Sequence, residues 1–157
     1  MEVRKSYFIF IFFACLITSC RQPFVPEKTV AFSRQEWASA NKVRVNIDIA
    51  DTNSLYNIFV VIRHTTAFKY NNLLLDYALI SPSRDTAAAM SLNLLLGDKQ
   101  HWYGDMLGEI VETRVKVNNQ PQRLKAGSNV FTLQQFMPDD VLKDILNAGI
   151  CVEKVNR

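Results

Sequence analysis

Residues 42–49, KVRVNIDI, alternate without a break. Val43, Val45, Ile47 and Ile49 fall on one side of an extended chain, and Lys42, Arg44, Asn46 and Asp48 on the other. Successive side chains of a strand point to opposite faces, so this period of two predicts a strand with one face on a core and one in water. Such half-buried strands belong to antiparallel sheets. ADTN (50–53) is the turn after it.

The same period runs through most of the chain. LYNIFVVIR (55–63) is apolar on both faces, which predicts a strand covered on both sides. NLLLDYALI (72–80), ended by SPSRD, is another, and IVETRVKV (110–117) alternates again before NNQPQ. NVFTLQQF (129–136), GICVEKV (149–155) and a first strand around Lys28 to Phe32 follow the same logic. DTAAAMSLNLLLG (85–97) is ambiguous: its alanines favour helix, but Met90, Leu92, Leu94 and Leu96 alternate. The alternation decides for a strand over Ala89–Leu95, which brings the expected total to about eight.

Two short helices are also expected. Ser33 and Glu36 have capping-box spacing before Arg34 to Ala40. In PDDVLKDIL (138–146), Pro138 suits a first helical position and Asp139 and Asp140 suit the positive end of a helix dipole. Many short strands with turn signals between them, and no regular βαβ alternation, predict an all-β fold: an antiparallel β-sandwich of jelly-roll type.

The N-terminus has a different character. Arg4 and Lys5 precede an apolar run from Tyr7 to Ile17, then Thr18, Ser19 and Cys20. Charge, a short apolar core and a small-residue exit make an export signal. The core is well short of the ~20 residues that span a bilayer. LITSC resembles a bacterial lipoprotein signal, in which the cysteine thiol takes a diacylglyceryl group and the segment before it is cut away. The organisation expected is therefore a signal over 1–19, a lipid-anchored tether over 20–27 and a β-sandwich domain over 28–157. At ~0.8 kcal/mol per buried methylene, two or three acyl chains give stable membrane attachment. Cys15 leaves with the signal, so Cys20 is the predicted attachment residue. Cys151 is then the one remaining thiol, no intramolecular disulfide can form, and the core alone must hold the domain. Cys151 itself reads as a small buried hydrophobe.

The full chain carries a formal net charge of +3 with its basic residues scattered, which gives no case for nucleic acid as a partner. His64 and His101 stand apart, and no HExxH, CxxC, GxSxG, P-loop or GxGxxG spacing occurs. The expectation is no metal, no cofactor and no enzyme. The loop GDKQHWYGDMLGE (97–109) sets Trp102 and Tyr103 between glycines, and FKYNN (68–72) places Phe68 and Tyr70 in another loop. Exposed aromatics stack on sugars or anchor protein partners, so Trp102, Tyr103 and Tyr70 are the predicted contacts. The competing and favoured reading of Trp102 is a plug in the end of the sandwich.

The order of these segments resembles the gliding-motility-associated lipoprotein GldH family of the Bacteroidetes. The resemblance covers the chain from its lipoprotein signal onward and is strongest over residues 48–155. It rests on DTNSLYNIFVVIRH, on Tyr70, Asn72 and Leu73 in FKYNNLLL, and on Asp85-Thr86 after a turn. Gly97, Trp102, Gly104 and Gly108 of the glycine-rich loop and the closing LQQFMPDDVLKDILNAGICVEK extend it. Phe68, Met137-Pro138 and Gly108-Glu109-Ile110 depart from the family pattern, as in a divergent member. The resemblance implies a non-catalytic accessory or scaffold lipoprotein of the gliding motility and type IX secretion apparatus, with other envelope lipoproteins as partners. The residues after Cys20, RQPFVPE, lack an acidic cluster, which suggests a periplasm-facing place on the outer membrane. A glycan-binding jelly roll is the alternative.

Overall fold

The computed structural model describes residues 26–155, so Cys20 and the predicted signal lie outside the described residues. The strands are β1 (Glu27–Ala31), β2 (Glu36–Ala38), β3 (Val43–Ile49), β4 (Tyr56–Thr65), β5 (Asn72–Ile80) and β6 (Thr86–Leu95), then β7 (Asp105–Leu107), β8 (Ile110–Lys116), β9 (Gly127–Gln135), β10 (Val141–Lys143) and β11 (Ile145–Lys154). All pairings among them are antiparallel. One sheet runs β1-β11-β4-β8-β7, the other β3-β9-β5-β6, and β10-β2 form a two-stranded flap.

The partners show how the chain is folded. β1 pairs with β11, β3 with β9, β4 with β8 and β5 with β6. First meets last, second meets second-last, and so inward: one long hairpin rolled over on itself, which is the jelly roll. The eight long strands are those expected, and β6 settles the alanine-rich segment as strand. The count rises to eleven because β2, β7 and β10 have three residues each, too few to show a period.

The alternation of β3 is reproduced in its burial, with Val43, Val45, Ile47 and Ile49 inside and the residues between them exposed. They meet Ile58, Val60 and Ile62 of β4, Leu73, Leu75 and Leu79 of β5, and Phe131 and Leu133 of β9 in one core. Full burial of such side chains contributes roughly 1.5–3 kcal/mol each.

Neither expected helix forms. Within a single 3-10 turn at Ser33–Gln35, Arg34 and Gln35 take left-handed φ of 56° and 57°, and the chain then runs extended through β2. Trp37 decides this: it is fully buried, stacks on Phe32 at 5.0 Å and donates from Nε1 to the carbonyl of Asn41 at 2.8 Å. An extended backbone delivers it to the core, where it lies opposite Leu142. The segment 138–146 is likewise two strands. Leu142 is buried between exposed Val141 and Lys143, and Asp144 at φ 65° turns the chain into β11. Gln135 fixes the approach, its Nε2 donating to the carbonyls of Trp37 and Asp140 and its Oε1 accepting from Met137 N–H. Asp139 and Asp140 therefore start no helix. Val141 and Ile145, one helical turn apart in sequence, fall on two different strands.

β4 is buried on both sides, but among the described residues no third layer covers it. Its outer face, with Val61 fully buried, is roofed by charged side chains. Arg63 bonds Glu112 and Glu27, and Arg114 bonds the same two carboxylates at 2.9 and 2.8 Å. Burial works against the Glu112 carboxylate, yet the hydrogen bonds from Arg63 and Arg114 outweigh it and hold its pKa below the usual range. The arginine stems do the covering that a second layer would otherwise supply. Cys151 lies under this roof, and burial pushes its thiol up to about 11, so it stays protonated.

Candidate interaction site at the far end

The strands give the molecule two ends. Tyr56, Lys154 and the β3–β4 turn lie at one, because Tyr56 pairs with Lys154, and the chain enters β1 just inside it, with Pro26 O accepting from Val152 N–H at 2.9 Å and Glu27 paired with Cys151. The described chain thus enters the fold near this end. β4 then runs ten residues to the other, about 30 Å at strand rise. His64 and the loops 66–71 and 97–104 lie there.

His64 is the last inward-pointing residue of β4 and is fully buried. Its Nδ1–H donates to the carbonyl of Thr65 at 2.8 Å, leaving Nε2 as a bare acceptor that meets no partner among the described residues. Burial lowers the imidazole pKa, and the bond to Thr65 opposes this only in part. The ring is closed off by aromatics: Trp102 stands edge-on at 4.5 Å and Phe68 lies at 5.4 Å. Tyr70 extends the cluster, meeting Phe68 at 5.9 Å. Gly97 lets Trp102 press in, because a Cβ there would sit 2.7 Å from the His101 carbonyl and 3.0 Å from the indole.

Of the predicted contact residues, Trp102 and Tyr70 are brought together through Phe68, both half-buried. Tyr103 is not part of that stack. It is 43% exposed, and its hydroxyl reaches Asp98 Oδ2 at 3.4 Å. Beside Tyr70 a cavity of about 210 Å³ opens between Lys69 and the Asp139–Asp144 segment. Lys69 Nζ lies 4.9 Å from the Tyr70 ring centre and donates to Asp139 Oδ2 at 2.9 Å. That bond lowers the Asp139 pKa and raises that of Lys69. His101 is exposed near Asp98, whose carboxylate is held low by the Gln100 and His101 backbone N–H groups.

Among the described residues, no three His, Cys, Asp or Glu side chains converge as a metal site would need, and no helix is long and apolar enough to cross a membrane. A concavity of about 720 Å³ is an open groove between β1–β2 and β3 with Arg34, Glu36, Lys42 and Arg44 on its walls. What the far end can do is make contact. It offers aromatic surface, one charged pair and a hairpin that the sequence hid. β7 was read as loop, and the signal for it was Gly108-Glu109, a two-residue turn between Leu107 and Ile110.

A family model described as GldH lipoprotein matches residues 25–152. The chain is also similar to the gliding motility lipoprotein GldH homolog of Christiangramia forsetii, with 25% identity over 161 aligned positions that cover 98% of this chain and 98% of that protein.

Proposed function

Because the chain belongs to the GldH lipoprotein family, we propose that it is a non-catalytic, lipid-anchored envelope protein serving gliding motility. In this reading it acts as an accessory or scaffold component of the motility and type IX secretion apparatus. Cys20 carries the lipid, and the domain faces the periplasm from the outer membrane. The observation that carries the reading is the separation of the two ends. The six residues from Cys20 to Pro26 reach at most about 20 Å, and they lead into β1 at one end of the sandwich. The aromatic loops lie a strand's length away, directed at other proteins rather than at the bilayer that holds the tether.

A carbohydrate role has less to stand on. Trp102 spends its ring on His64 and Phe68, and the cavity beside Tyr70, at about 210 Å³, is below the ~300 Å³ at which small-molecule sites begin. Tyr103 is the one member of the trio with substantial exposure.

The test is mild-detergent co-purification of the full-length lipidated protein from its native envelope, beside Cys20→Ala. The expected outcome is a set of envelope lipoproteins that accompanies the wild type and fades when the anchor is lost. Recovery of the protein alone from well-solubilised membranes overturns the scaffold reading. Glycan binding by the wild type that Tyr103→Ala abolishes would put the carbohydrate role in its place.

A further inference from the structure

The hairpin of β7 and β8 carries more exposed apolar surface than any other turn of the described residues. Leu107 is 84% exposed, Met106 58% and Ile110 40%. Leu107 pairs with Ile110 across the turn, so the two share a face. Gly108 has φ 60° at the first position of the two-residue connection, the II′ geometry that fits the twist of a hairpin. A Cβ built there would meet nothing within 4 Å, so the tip stands clear of the domain.

The base of this tip is rigid. Gly104, at φ 105°, lies so close to β8 that a Cβ would fall 2.1 Å from the Glu112 carbonyl. The Thr113 hydroxyl donates to the Tyr103 carbonyl, and Thr66 N–H donates to Glu109 O at 2.8 Å. A fixed hairpin loses little conformational freedom on docking.

Charge narrows the choice of partner. Asp105 and Glu109 flank the apolar tip, both exposed, and neither makes an ion pair among the described residues. The carboxylate of Glu112, which faces Asp105 across the hairpin, is by contrast already matched by Arg63 and Arg114. We propose that the Asp105–Ile110 hairpin is a docking knob for a protein partner that offers an apolar pocket rimmed by lysine or arginine. A bilayer is a poor occupant, because carboxylates beside the apolar tip resist entry and the tether enters at the opposite end. A second copy of this knob is poor too, because it would bring four carboxylates together without a free cation. Apolar anchors at the centre with complementary charges at the rim are the common anatomy of a specific contact. This deepens the scaffold reading and rests on it for the existence of a partner.

The experiment places a photo-crosslinking residue at Leu107 in the full-length lipidated protein, in native envelopes, with Asn46 on the outer face of β3 as the control position. One protein should be captured from Leu107 and not from Asn46, through a peptide that contains lysine or arginine. Glu109→Lys with Asp105→Lys should cut the yield several-fold, and so should raised salt. The urea midpoint of that double variant should match the wild type, because both side chains are exposed. A lipid adduct, an adduct to a second copy, a captured peptide without basic residues, indifference to charge reversal or no adduct at all would each overturn the knob. Where partners still co-purify with Leu107→Glu, the knob fails and the scaffold stands. Where nothing co-purifies with the wild type, it is the scaffold reading that fails.

Discussion

The two ends of the sandwich are closed by different chemistry. At the end that holds the β3–β4 turn the work is done by hydrogen bonds. Asp51 accepts from Asn53 N–H, Ser54 Oγ and Lys154 Nζ, and its own carbonyl receives the Tyr56 hydroxyl at 2.7 Å. Asn118 adds bonds to Ile58 N–H and the Tyr56 carbonyl. One turn thus ties β4, β11 and the exit of β8. At the far end the same task falls to Trp37, His64, Phe68 and Trp102, which pack and leave one buried ring nitrogen without a partner among the described residues. Polar closure fixes the chain at the end where β1 begins. Aromatic closure leaves contact surface around its rim. The division matches the proposed use of the molecule, held at one end and touched at the other.

The largest effect should come from the aromatic end. Trp37→Ala removes a fully buried side chain and the stack on Phe32, and Trp→Ala changes of this kind cost about 3–5 kcal/mol. Urea unfolding at pH 7 measures it. A loss under about 1 kcal/mol would mean that packing does not hold this end. Gly149→Ala probes how β1 is held to the domain, since the new Cβ would lie 2.1 Å from the Lys28 carbonyl and push β1 off β11. A cost of about 1–3 kcal/mol is expected, with amide exchange accelerating in β1 ahead of β9. Uniform acceleration would show that β1 is not a separable element.

The polar end is tested by pH. Hydrogen bonds from Lys154 first, then Ser54 and Asn53, hold the Asp51 carboxyl well below the usual carboxylate range. With a native pKa below the unfolded value near 3.9, its contribution is complete above about pH 4 and is lost as pH falls from there towards the native pKa. Asp51→Asn should lower Tm by a few degrees at pH 7, and the gap to wild type should close below pH 4. A gap that persists in acid would assign the effect to turn geometry rather than to charge.

How much of this the sequence disclosed depends on the length over which a pattern can repeat. β3, β5 and β8 are seven to nine residues long, enough for alternation to declare both the strand and its buried face, and the jelly roll follows from their number. β2 and β10 gave no such chance. Their capping-box and proline signals were genuine local preferences, overridden because Trp37 and Leu142 belong in the core. The roof over β4 was hidden for another reason. Glu27, Arg63, Glu112 and Arg114 lie on three strands far apart in the chain, and only the register brings them together. Trp102 and Tyr70 were visible as aromatics in loops, but their meeting through Phe68 over His64 depends on the roll of the chain.

The smallest effect is the sharpest separation of the two ends. His64 is buried neutral with its pKa lowered by burial, so a proton arriving at Nε2 would create an N–H with no acceptor among Thr65, Phe68 and Trp102. Unfolded histidine titrates near 6.5. Below that pH the unfolded chain binds the proton more readily than the folded one, and stability falls as pH drops from about 6.5 towards the native pKa, then levels. His64→Phe keeps the aromatic packing and removes the titration. Its urea midpoint should therefore decline less than that of the wild type between pH 6.5 and 5, while the Asp51-dependent loss below pH 4 is unchanged. Two acid steps, each removed by its own substitution, would show that the ends are held independently. If His64→Phe leaves the upper step in place, the titrating group lies elsewhere, and the aromatic end is not what responds to acid.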